Sequence, residues 1–292
     1  MLHKLENDTL KIAVAERGAE LKSITATADG TEYLFDSDPT WWKYSAPVLF
    51  PIVGKVNGGK YRAEGKEYEL PQHGFARTSD FWLVDATADT LTFALESNAA
   101  TLKAYPYKFR LEISFELIGN EVKVGWKVAN VDDKAIYFSI GAHPAICCPI
   151  AYRESFEDCY LKFNAAEKSA RILLATSGTL THDRIPTLEG TELALNYELF
   201  KGDALVFDDL KSDEVTVCSR KSSKSLTLRA KGFPYWGIWT PAQGGAPFVC
   251  IEPWHGHADY EDFTGELKDK EGIIKLEVGA TFETEIDFII TE

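Results

Sequence analysis

The sequence predicts an all-β protein in which mostly antiparallel sheets pack as a sandwich and the few helices are short. Short segments that alternate apolar and polar residues recur along the chain, and they are rich in β-branched and aromatic side chains. Turn-forming pairs such as Asp-Gly, Glu-Gly and Gly-Asn separate neighbouring segments. Strands joined by such tight turns pair as antiparallel hairpins, which favours antiparallel sheets over a parallel α/β architecture.

The predicted hairpins follow one another from the N-terminus. The first joins residues 20–27 to residues 31–35 through Asp29-Gly30, the dipeptide most favoured in two-residue turns. The later strands are predicted at residues 60–63 and 66–70, 109–117 and 121–128, 214–219 and 225–230, and as two strands within 273–290. Helical patterns are confined to a turn or two at residues 39–44, 99–105 and 192–200.

The composition supports one domain over residues 1–292. With 45% hydrophobic residues, a chain of this length buries a large core, and all-β folds of this size commonly form one domain. No internal repeat, low-complexity tract or linker-like shift in composition divides the sequence.

The acidic balance of charge excludes several classes of partner. Lys and Arg total 31 against 45 for Asp and Glu, a formal net charge of −14, and no run of basic residues stands out. We therefore expect no nucleic-acid or membrane partner, and no segment approaches the roughly 20 apolar residues of a membrane helix. The N-terminus lacks the apolar region of a secretory signal, and adjacent Cys147 and Cys148 suit no disulfide framework. These features predict reduced thiols and a cytoplasmic protein.

Three distant segments place ionisable side chains beside prolines: residues 70–77 (Leu-Pro-Gln-His-Gly-Phe-Ala-Arg), 141–144 (Gly-Ala-His-Pro) and 251–254 (Ile-Glu-Pro-Trp). His143 and Glu252 each precede a proline, whose ring pushes the preceding residue toward extended geometry. An imidazole and a carboxylate on stiff backbone form a candidate acid–base pair that needs no metal or cofactor. Taken singly, His143 also fits a core histidine and Glu252 a paired strand-end carboxylate. However, a carboxylate at the end of an apolar strand is costly to bury without a partner or a task.

Motifs of phosphate-binding and nucleophilic enzymes are incomplete in this chain. Residues 54–61 approach a P-loop, but Tyr61 replaces its Ser or Thr and a predicted strand follows instead of a helix. Cys147 and Cys148 lie in the apolar segment 145–150, which raises thiol pKa values and suits packing rather than nucleophilic attack. Gly-x-Ser-x-Gly does not occur.

Glu252, His255, His257 and Asp259 offer oxygen and nitrogen donors suited to zinc or iron. Side chains on an extended strand alternate between faces, so His255 and His257 share one face while Glu252 points to the other. A loop conformation that gathers these donors leaves a metal-dependent isomerase as an alternative. The spacing nevertheless argues against it, and we expect no metal.

Taken together, these segments resemble the aldose 1-epimerase (galactose mutarotase-like) superfamily, in particular its branch near the glucose-6-phosphate 1-epimerases. The likeness rests on residues 46–54, 70–77, 141–144 and 248–254, which run in the family's order at similar spacing. The stretch Leu-Pro-Gln-His-Gly-Phe-Ala-Arg is the most specific of them. The resemblance implies a single galactose mutarotase-like domain over residues 1–292, with a β-supersandwich fold and an open cleft on one concave face.

The resemblance also implies roles for individual residues. His143 matches the general acid and Glu252 the general base of a reaction that opens and recloses a pyranose ring. Gln72, His73 and Arg77 match positions that hold sugar hydroxyls or a phosphate. This reaction needs His143 protonated while Glu252 is ionised, and no cofactor is implied because no electron pair leaves the sugar.

Two further positions in the resemblance concern substrate binding. An aspartate that binds sugar hydroxyls corresponds to Asp203, with Asp208 and Asp209 as alternatives. The phosphosugar enzymes usually carry an arginine in the region where this chain has Lys43. A lysine does not reproduce the bidentate contact that arginine makes with phosphate, so this departure bears on phosphate recognition.

Two hypotheses about function follow from these residues. The first is a cofactor-independent mutarotase acting on a free or phosphorylated aldohexose, with Trp254 and Trp239 as candidates to stack on the sugar's apolar face. The second is a carbohydrate-binding or sensing protein that uses the same scaffold and catalyses nothing. The presence of both His143 and Glu252 argues against the second, because binding alone needs no matched acid and base. The expected partner is a small sugar, and no sequence feature selects an oligomeric state.

Overall fold

The regular secondary structure consists almost entirely of strands, which confirms the predicted all-β class with few short helices. The computed structural model describes all 292 residues and contains 22 strands and one short α-helix. The strands of the first part of the chain are β1 Leu2–Glu6, β2 Leu10–Ala15, β3 Glu20–Ala26, β4 Val48–Leu49, β5 Lys60–Ala63, β6 Lys66–Glu69, β7 Trp82–Ala86, β8 Thr90–Glu96, β9 Phe109–Ile118 and β10 Glu121–Asn130. Those of the remainder are β11 Ile136–Phe138, β12 Ile140–Ala142, β13 Ala145–Cys147, β14 Cys159–Leu174, β15 Leu180–Ala194, β16 Leu205–Phe207, β17 Glu214–Ser219, β18 Ser225–Arg229, β19 Tyr235–Trp239, β20 Phe248–His255, β21 Ile274–Leu276 and β22 Thr281–Thr291.

The helical segments are minor. The α-helix, α1, spans Thr101–Ala104, within the predicted segment 99–105. The other segments are 3-10 turns at Asn57–Gly59, Ala76–Thr78, Phe156–Asp158, Tyr197–Phe200 and Leu267–Asp269. No helix in the structure is both long enough and apolar enough to span a membrane.

One 15-stranded antiparallel sheet organises the molecule. Its main path runs β4, β12, β20, β19, β16, β14, β17, β18, β22, β10, β9, β8 and β7, while β13 pairs with β20 and β15 pairs with β14. A three-stranded sheet, β1 to β3, and two small pairs, β5–β6 and β11–β21, complete the architecture. Strands from both ends of the chain therefore meet in space, and the largest apolar core contains 64 buried residues between Leu5 and Ile290.

Strand β20 lies inside the large sheet, and seven of its eight residues are buried. It pairs with β12 and β13 on one edge and with β19 on the other. Because successive side chains of a strand point to opposite faces, Val249 and Ile251 lie in the main core. Cys250, Glu252 and Trp254 consequently share the opposite face of β20.

Three predicted hairpins form as expected: β5–β6, β9–β10 and β17–β18. The prediction of a second strand at residues 31–35 is wrong, because these residues make only isolated bridges. The carboxylate of Glu32 accepts the backbone N–H groups of Ile24, Tyr33 and Leu34, so a side chain takes positions that a strand ladder would otherwise use.

Both C-terminal strands form, but they do not pair with each other. Strand β21 pairs with β11, and β22 lies between β10 and β18. The alternate residues Ile286, Phe288 and Ile290 of β22 are all in the main core. Burial of this apolar face requires a central place in the sheet, which a terminal hairpin would not provide.

The longest hairpin, β14–β15, is absent from the sequence prediction. Its register shifts at three points, between Lys162 and Glu167, between Ser169 and Ala170, and between Ile172 and Leu174. The apolar alternation of β14 ends at Phe163, because its buried positions 167 and 169 are Glu and Ser. On β15 only Leu180, Leu188 and Leu193 are buried, so that strand has no regular apolar alternation. A helical turn or two was also expected at residues 192–200 and 39–44. The first segment contains the end of β15 and the 3-10 turn Tyr197–Phe200, so it is confirmed in part. The second contains only turns and a bend, so the helical prediction there is wrong.

A buried ion pair fixes the loop at residues 54–57. Lys270 Nζ lies 2.7 Å from Asp259 Oδ1, and the two side chains are 3% and 4% exposed. The other oxygen of Asp259 accepts the backbone N–H of Asn57 at 2.9 Å, and the Asp259 N–H donates to the carbonyl of Lys55 at 2.8 Å. The ion pair therefore stabilises a loop that also contacts His73, one of the predicted site residues.

Replacement of Lys270 by Met is expected to lower the free energy of unfolding by about 3–5 kcal/mol, because it leaves the buried Asp259 carboxylate without its cation. Denaturant titration measures the change. Lys268→Met is the matched control, since Lys268 is 52% exposed and its removal should change stability by no more than about 0.5 kcal/mol. Equal stability of the two variants would contradict the role given to the buried pair.

Candidate active site

A cleft of about 860 Å³ lies where the three proline-flanked segments meet. This volume is in the range of pockets that bind small molecules. Every residue proposed for the site from the sequence lines this one cleft: Lys43, Gln72, His73, Arg77, His143, Asp203, Glu252 and Trp254. Trp239 lines it as well. The structure brings these residues together, while their individual roles stay predictions.

His143 and Glu252 form the buried centre of the cleft. Nε2 of His143 lies 3.2 Å from Oε2 of Glu252, and the two side chains are 8% and 2% exposed. The backbone N–H of His143 donates to the carbonyl of Pro47 at 3.1 Å, which fixes the residue just after β12. Glu252 lies within β20 opposite Gly237 of β19. Both side chains are therefore held by regular sheet structure and its immediate continuation.

Aromatic rings surround the imidazole of His143. The indole of Trp42 lies over it with ring centroids 4.5 Å apart and an interplanar angle of 30°. Trp239 approaches edge-on at 5.7 Å, and the His73 ring does so at 5.3 Å. These contacts restrict rotation of the His143 ring and keep Nε2 directed at the carboxylate.

His73 is held in one tautomer by the loop that the buried ion pair stabilises. Its Nδ1 accepts the backbone N–H of Gly54 at 3.1 Å, so in the neutral ring the proton is on Nε2. The residue has a left-handed φ of 65°, and Gly74 follows with a φ of 68°. A side chain at Gly74 would lie 2.3 Å from the carbonyl oxygen of Phe50, so glycine is required there. The tight backbone thus places a fixed N–H donor at the cleft.

The side chains of Arg77 and Lys43 both lie close to the aromatic ring of Tyr44 at the wall of the cleft. The guanidinium of Arg77 lies 4.9 Å from the centroid of Tyr44, and Lys43 Nζ lies 5.5 Å from the same centroid. Arg77 Nη2 donates to the carbonyl of Gln72 at 2.8 Å, and no carboxylate lies within salt-bridge distance of Arg77. Its remaining donors are therefore available to a ligand.

Among the three candidate aspartates, only Asp203 lines the cleft. It has a left-handed φ of 76°, and its Oδ1 accepts the N–H of Ala204 at 2.8 Å. Asp208 instead forms a two-pronged ion pair with Arg184, with both N–O distances 2.7 Å. Strained backbone conformations such as that of Asp203 persist where the surrounding structure enforces them, and they cluster at functional sites.

Burial drives the central pair toward its neutral forms. It raises the pKa of Glu252 well above the ordinary value, and the negative charge of Asp203 acts in the same direction. It lowers the pKa of His143 to about 3, and the positive charge of Arg77 adds to this effect. The charged state required by the sequence argument is therefore disfavoured in the free cleft. The neutral and charged states hold equal numbers of protons and differ by one transfer between Nε2 and Oε2.

The donors of the alternative metal site are not gathered. His255 Nε2 lies 3.2 Å from Thr284 Oγ1, and its ring packs against Phe233 and Phe282. His257 Nδ1 contacts the carbonyl of Ala258 at 2.7 Å. Neither ring converges on Glu252, so the structure provides no support for a metal-dependent isomerase at these residues.

Three residues near the pair have no role in the sequence-based predictions. Trp42 contacts His143, and Tyr44 contacts Arg77. These contacts join residues that are distant in the sequence, so no local pattern could identify them. Cys250 lies two residues before Glu252 on the same face of β20, and the period of a strand could have indicated it.

Trp254 has a packing role as well as a place in the cleft. It is 6% exposed, and its indole packs against glycines of the two strands that flank β20, Gly141 of β12 and Gly237 of β19. A Cβ atom on Gly237 would lie 2.4 Å from the indole, and one on Gly141 would lie 2.6 Å from it. These two glycines therefore make room for the ring beside Glu252.

Comparisons with known proteins identify relatives over nearly the whole chain. A family model described as Aldose 1-epimerase matches residues 1–275. Protein LacX, chromosomal, of Lactococcus lactis subsp. lactis is 35% identical over 285 residues, covering 94% of this chain and 95% of that protein. The structure of a galactose mutarotase related enzyme from Lactobacillus acidophilus has a TM-score of 0.96 at 32% identity, covering 100% of this chain and 98% of the other. A galactose mutarotase-like protein from Lactobacillus casei has a TM-score of 0.94 at 33% identity, covering 100% of both chains.

Replacement of Gly237 by Ala is expected to lower the free energy of unfolding by about 1–3 kcal/mol, because the added methyl group overlaps the Trp254 indole inside the sheet. Gly202→Ala is the control, since no atom lies within 4 Å of the position that its Cβ would occupy and its φ is not left-handed. Denaturant titration of both variants measures the difference. A Gly237→Ala variant as stable as Gly202→Ala would show that the indole is not fixed at this position.

Stability is expected to fall steeply in mild acid. Burial lowers the pKa values of His73, His143, His255 and His257, so these side chains are neutral in the folded protein. Below the ordinary histidine pKa of about 6.5, the unfolded chain binds protons that the folded protein does not, so the stability present above this pH is lost as the pH falls. The raised pKa of Glu252 offsets about one of these protons.

We therefore expect the free energy of unfolding to decrease by roughly 3 kcal/mol per pH unit between about pH 6 and about pH 5. Denaturant titrations between about pH 6 and about pH 5 measure this slope. His255→Gln should reduce the slope by the contribution of one proton, about 1.4 kcal/mol per pH unit, because burial lowers the pKa of His255 to about 4. A stability that is independent of pH over this interval would contradict the account of the buried histidines.

Proposed function

The chain belongs to the aldose 1-epimerase family, and on this premise we propose that it is a mutarotase that interconverts the α and β anomers of an aldohexose or hexose phosphate. The observation that carries the proposal is the buried pair of His143 and Glu252, 3.2 Å apart at the centre of the cleft. A nitrogen and an oxygen this close, each able to hold or release a proton, meet the requirement of acid–base chemistry at one sugar carbon.

In the proposed reaction, Glu252 takes the proton from the C1 hydroxyl while His143 gives a proton to the ring oxygen. The C1–O5 bond then breaks, and C1 becomes the carbonyl carbon of an open chain. Rotation about the C1–C2 bond exposes the other face of that carbonyl. Reclosure reverses both proton transfers and gives the opposite anomer. All electron pairs remain on the sugar, so the reaction requires no cofactor.

The free cleft must be converted to its charged state before this reaction begins. One proton moves from Glu252 to His143, which leaves the total number of protons unchanged. Sugar hydroxyls that donate to the Glu252 carboxylate stabilise its ionised form. The face of the Trp42 indole, which lies over the imidazole, stabilises the imidazolium because aromatic faces attract cations. Substrate binding thereby adds hydrogen bonds that stabilise the charged state, which burial disfavours in the free cleft.

The other residues of the cleft support sugar binding in this proposal. His73 offers its Nε2–H group, Arg77 offers unpaired guanidinium donors, and Asp203 and Gln72 offer acceptors for hydroxyl groups. Lys43 adds a second positive charge beside Arg77, which supports an anionic substituent such as a phosphate. The proposal therefore includes both free and phosphorylated aldohexoses.

Exchange spectroscopy by NMR tests the proposal, with glucose, galactose and their 6-phosphates as substrates. We expect the purified protein to accelerate anomer exchange of at least one of the four. His143→Asn and Glu252→Gln should each reduce kcat by about 10²–10⁴-fold, the usual contribution of a positioned acid or base. His182→Asn and Glu283→Gln are matched controls that remove exposed side chains of the same types and should retain full activity.

Normal exchange in His143→Asn or Glu252→Gln would contradict the assigned roles. Binding of a sugar without acceleration of its exchange would instead favour a carbohydrate-binding protein on the same scaffold. Circular dichroism of each variant separates loss of chemistry from loss of fold.

A further inference from the structure

A third potential ligand atom lies beside the acid–base pair. A ring nitrogen of His143, a carboxylate oxygen of Glu252 and Sγ of Cys250 all lie within 4.8 Å of one another, and all three residues are buried. The thiol does not belong to the lining of the cleft, and the proposed reaction does not use it. The cluster therefore combines nitrogen, oxygen and sulfur donors within a few ångströms of one another.

We propose that His143, Cys250 and Glu252 form a binding site for a thiophilic divalent cation such as Zn²⁺ or Cd²⁺, which blocks the acid–base pair when it binds. The blocking effect rests on the proposed function, whereas cation binding does not. A cation held there occupies the electron pair of Nε2 and the carboxylate oxygen together. Neither group can then transfer a proton to or from a sugar.

The separations suit the coordination of zinc. Zinc lies about 2.0–2.1 Å from histidine nitrogen, about 2.0–2.2 Å from carboxylate oxygen and about 2.3 Å from thiolate sulfur. Tetrahedral angles then put pairs of donors roughly 3.3–3.8 Å apart. The distance between His143 and Glu252 is already 3.2 Å, and Cys250 needs to approach by no more than about 1.5 Å. A change of χ1 or χ2 in the three side chains covers such a distance without movement of the strands.

The sheet explains why these donors converge. Cys250 and Glu252 are two residues apart on β20, so the pleat places them on one face. Cys250 is paired with Ala145 on β13, and His143 lies two residues before Ala145 on the connection from β12. Regular backbone pairing on both sides therefore holds the three ligands, as metal sites require.

The donor set also selects the class of cation. Thiolate and imidazole ligands favour zinc and similar metals, whereas magnesium and calcium prefer oxygen ligands only. When the cation binds, the Cys250 thiol and the His143–Glu252 pair each lose one proton to solvent, and the three bonds to the metal form without any change of oxidation state. Nδ1 of His143 is buried without a hydrogen-bond partner, so the support that usually strengthens a metal-bound histidine is missing. We therefore expect binding weaker than that of a structural zinc site.

Titration of the full-length protein with Co²⁺, a spectroscopic substitute for Zn²⁺, tests cation binding directly. A thiolate ligand gives a charge-transfer absorption band in the near ultraviolet. We expect this band in the unmodified protein and its loss in Cys250→Ala. Cys147→Ala, which removes a thiol from the neighbouring strand β13, is the matched control and should keep the band. Absence of the band from the unmodified protein, or its persistence in Cys250→Ala, would overturn the site.

Inhibition of anomer exchange by Zn²⁺ tests the blocking effect. Cys250→Ala is expected to keep its exchange activity and to require at least tenfold more Zn²⁺ for half inhibition. Equal sensitivity of Cys250→Ala and the unmodified protein would overturn the inference while leaving the mutarotase proposal intact. If the unmodified protein shows no exchange activity, the Co²⁺ band and its loss in Cys250→Ala still decide whether the cation site exists.

Discussion

The alternation of side chains along β20 is the constraint on which the site depends. This strand is hydrogen-bonded on both edges, and its residues cannot rotate or shift without breaking pairs with β12, β13 or β19. Val249 and Ile251 anchor one face in the main core. Cys250, Glu252 and Trp254 must then lie on the opposite face, even though burial of a charged carboxylate there is unfavourable in free energy. The fold thus fixes the position of the Glu252 carboxylate before any ligand binds.

Burial of the carboxylate connects the fold to the proposed chemistry. A charged Glu252 would be costly at 2% exposure, and the neighbouring imidazole provides the means to neutralise it. The pair can hold one proton on either partner, so one proton transfer converts its neutral form into the charged form that the proposed reaction uses. Contacts around them, including Trp42 over the imidazole and Arg77 at the wall, set the balance between these states. A site of this kind would exchange protons with a sugar without an external cofactor.

The sequence predicted those parts of the structure that depend on local patterns. Clean alternation and tight turns identified β9–β10 and β17–β18, and the prolines after His143 and Glu252 identified residues that do lie together in the cleft. The hairpin β14–β15 was not predicted, because polar Glu167 and Ser169 occupy buried positions of β14 and few residues of β15 are buried. Pairing of β22 with β10 and β18 depends on partners that are distant in the sequence, and it has no local pattern. The stacking of Trp42 on His143 is equally non-local.

Whether His143 and Glu252 act as one unit is best tested by comparing the exchange rates of His143→Asn, Glu252→Gln and the double variant under identical conditions. If the two groups transfer protons in one concerted cycle, loss of either disables the other, and the double variant should be no slower than the slower single variant. Losses that multiply in the double variant would show that the two residues contribute independently. That result would contradict a mechanism based on a shared buried pair.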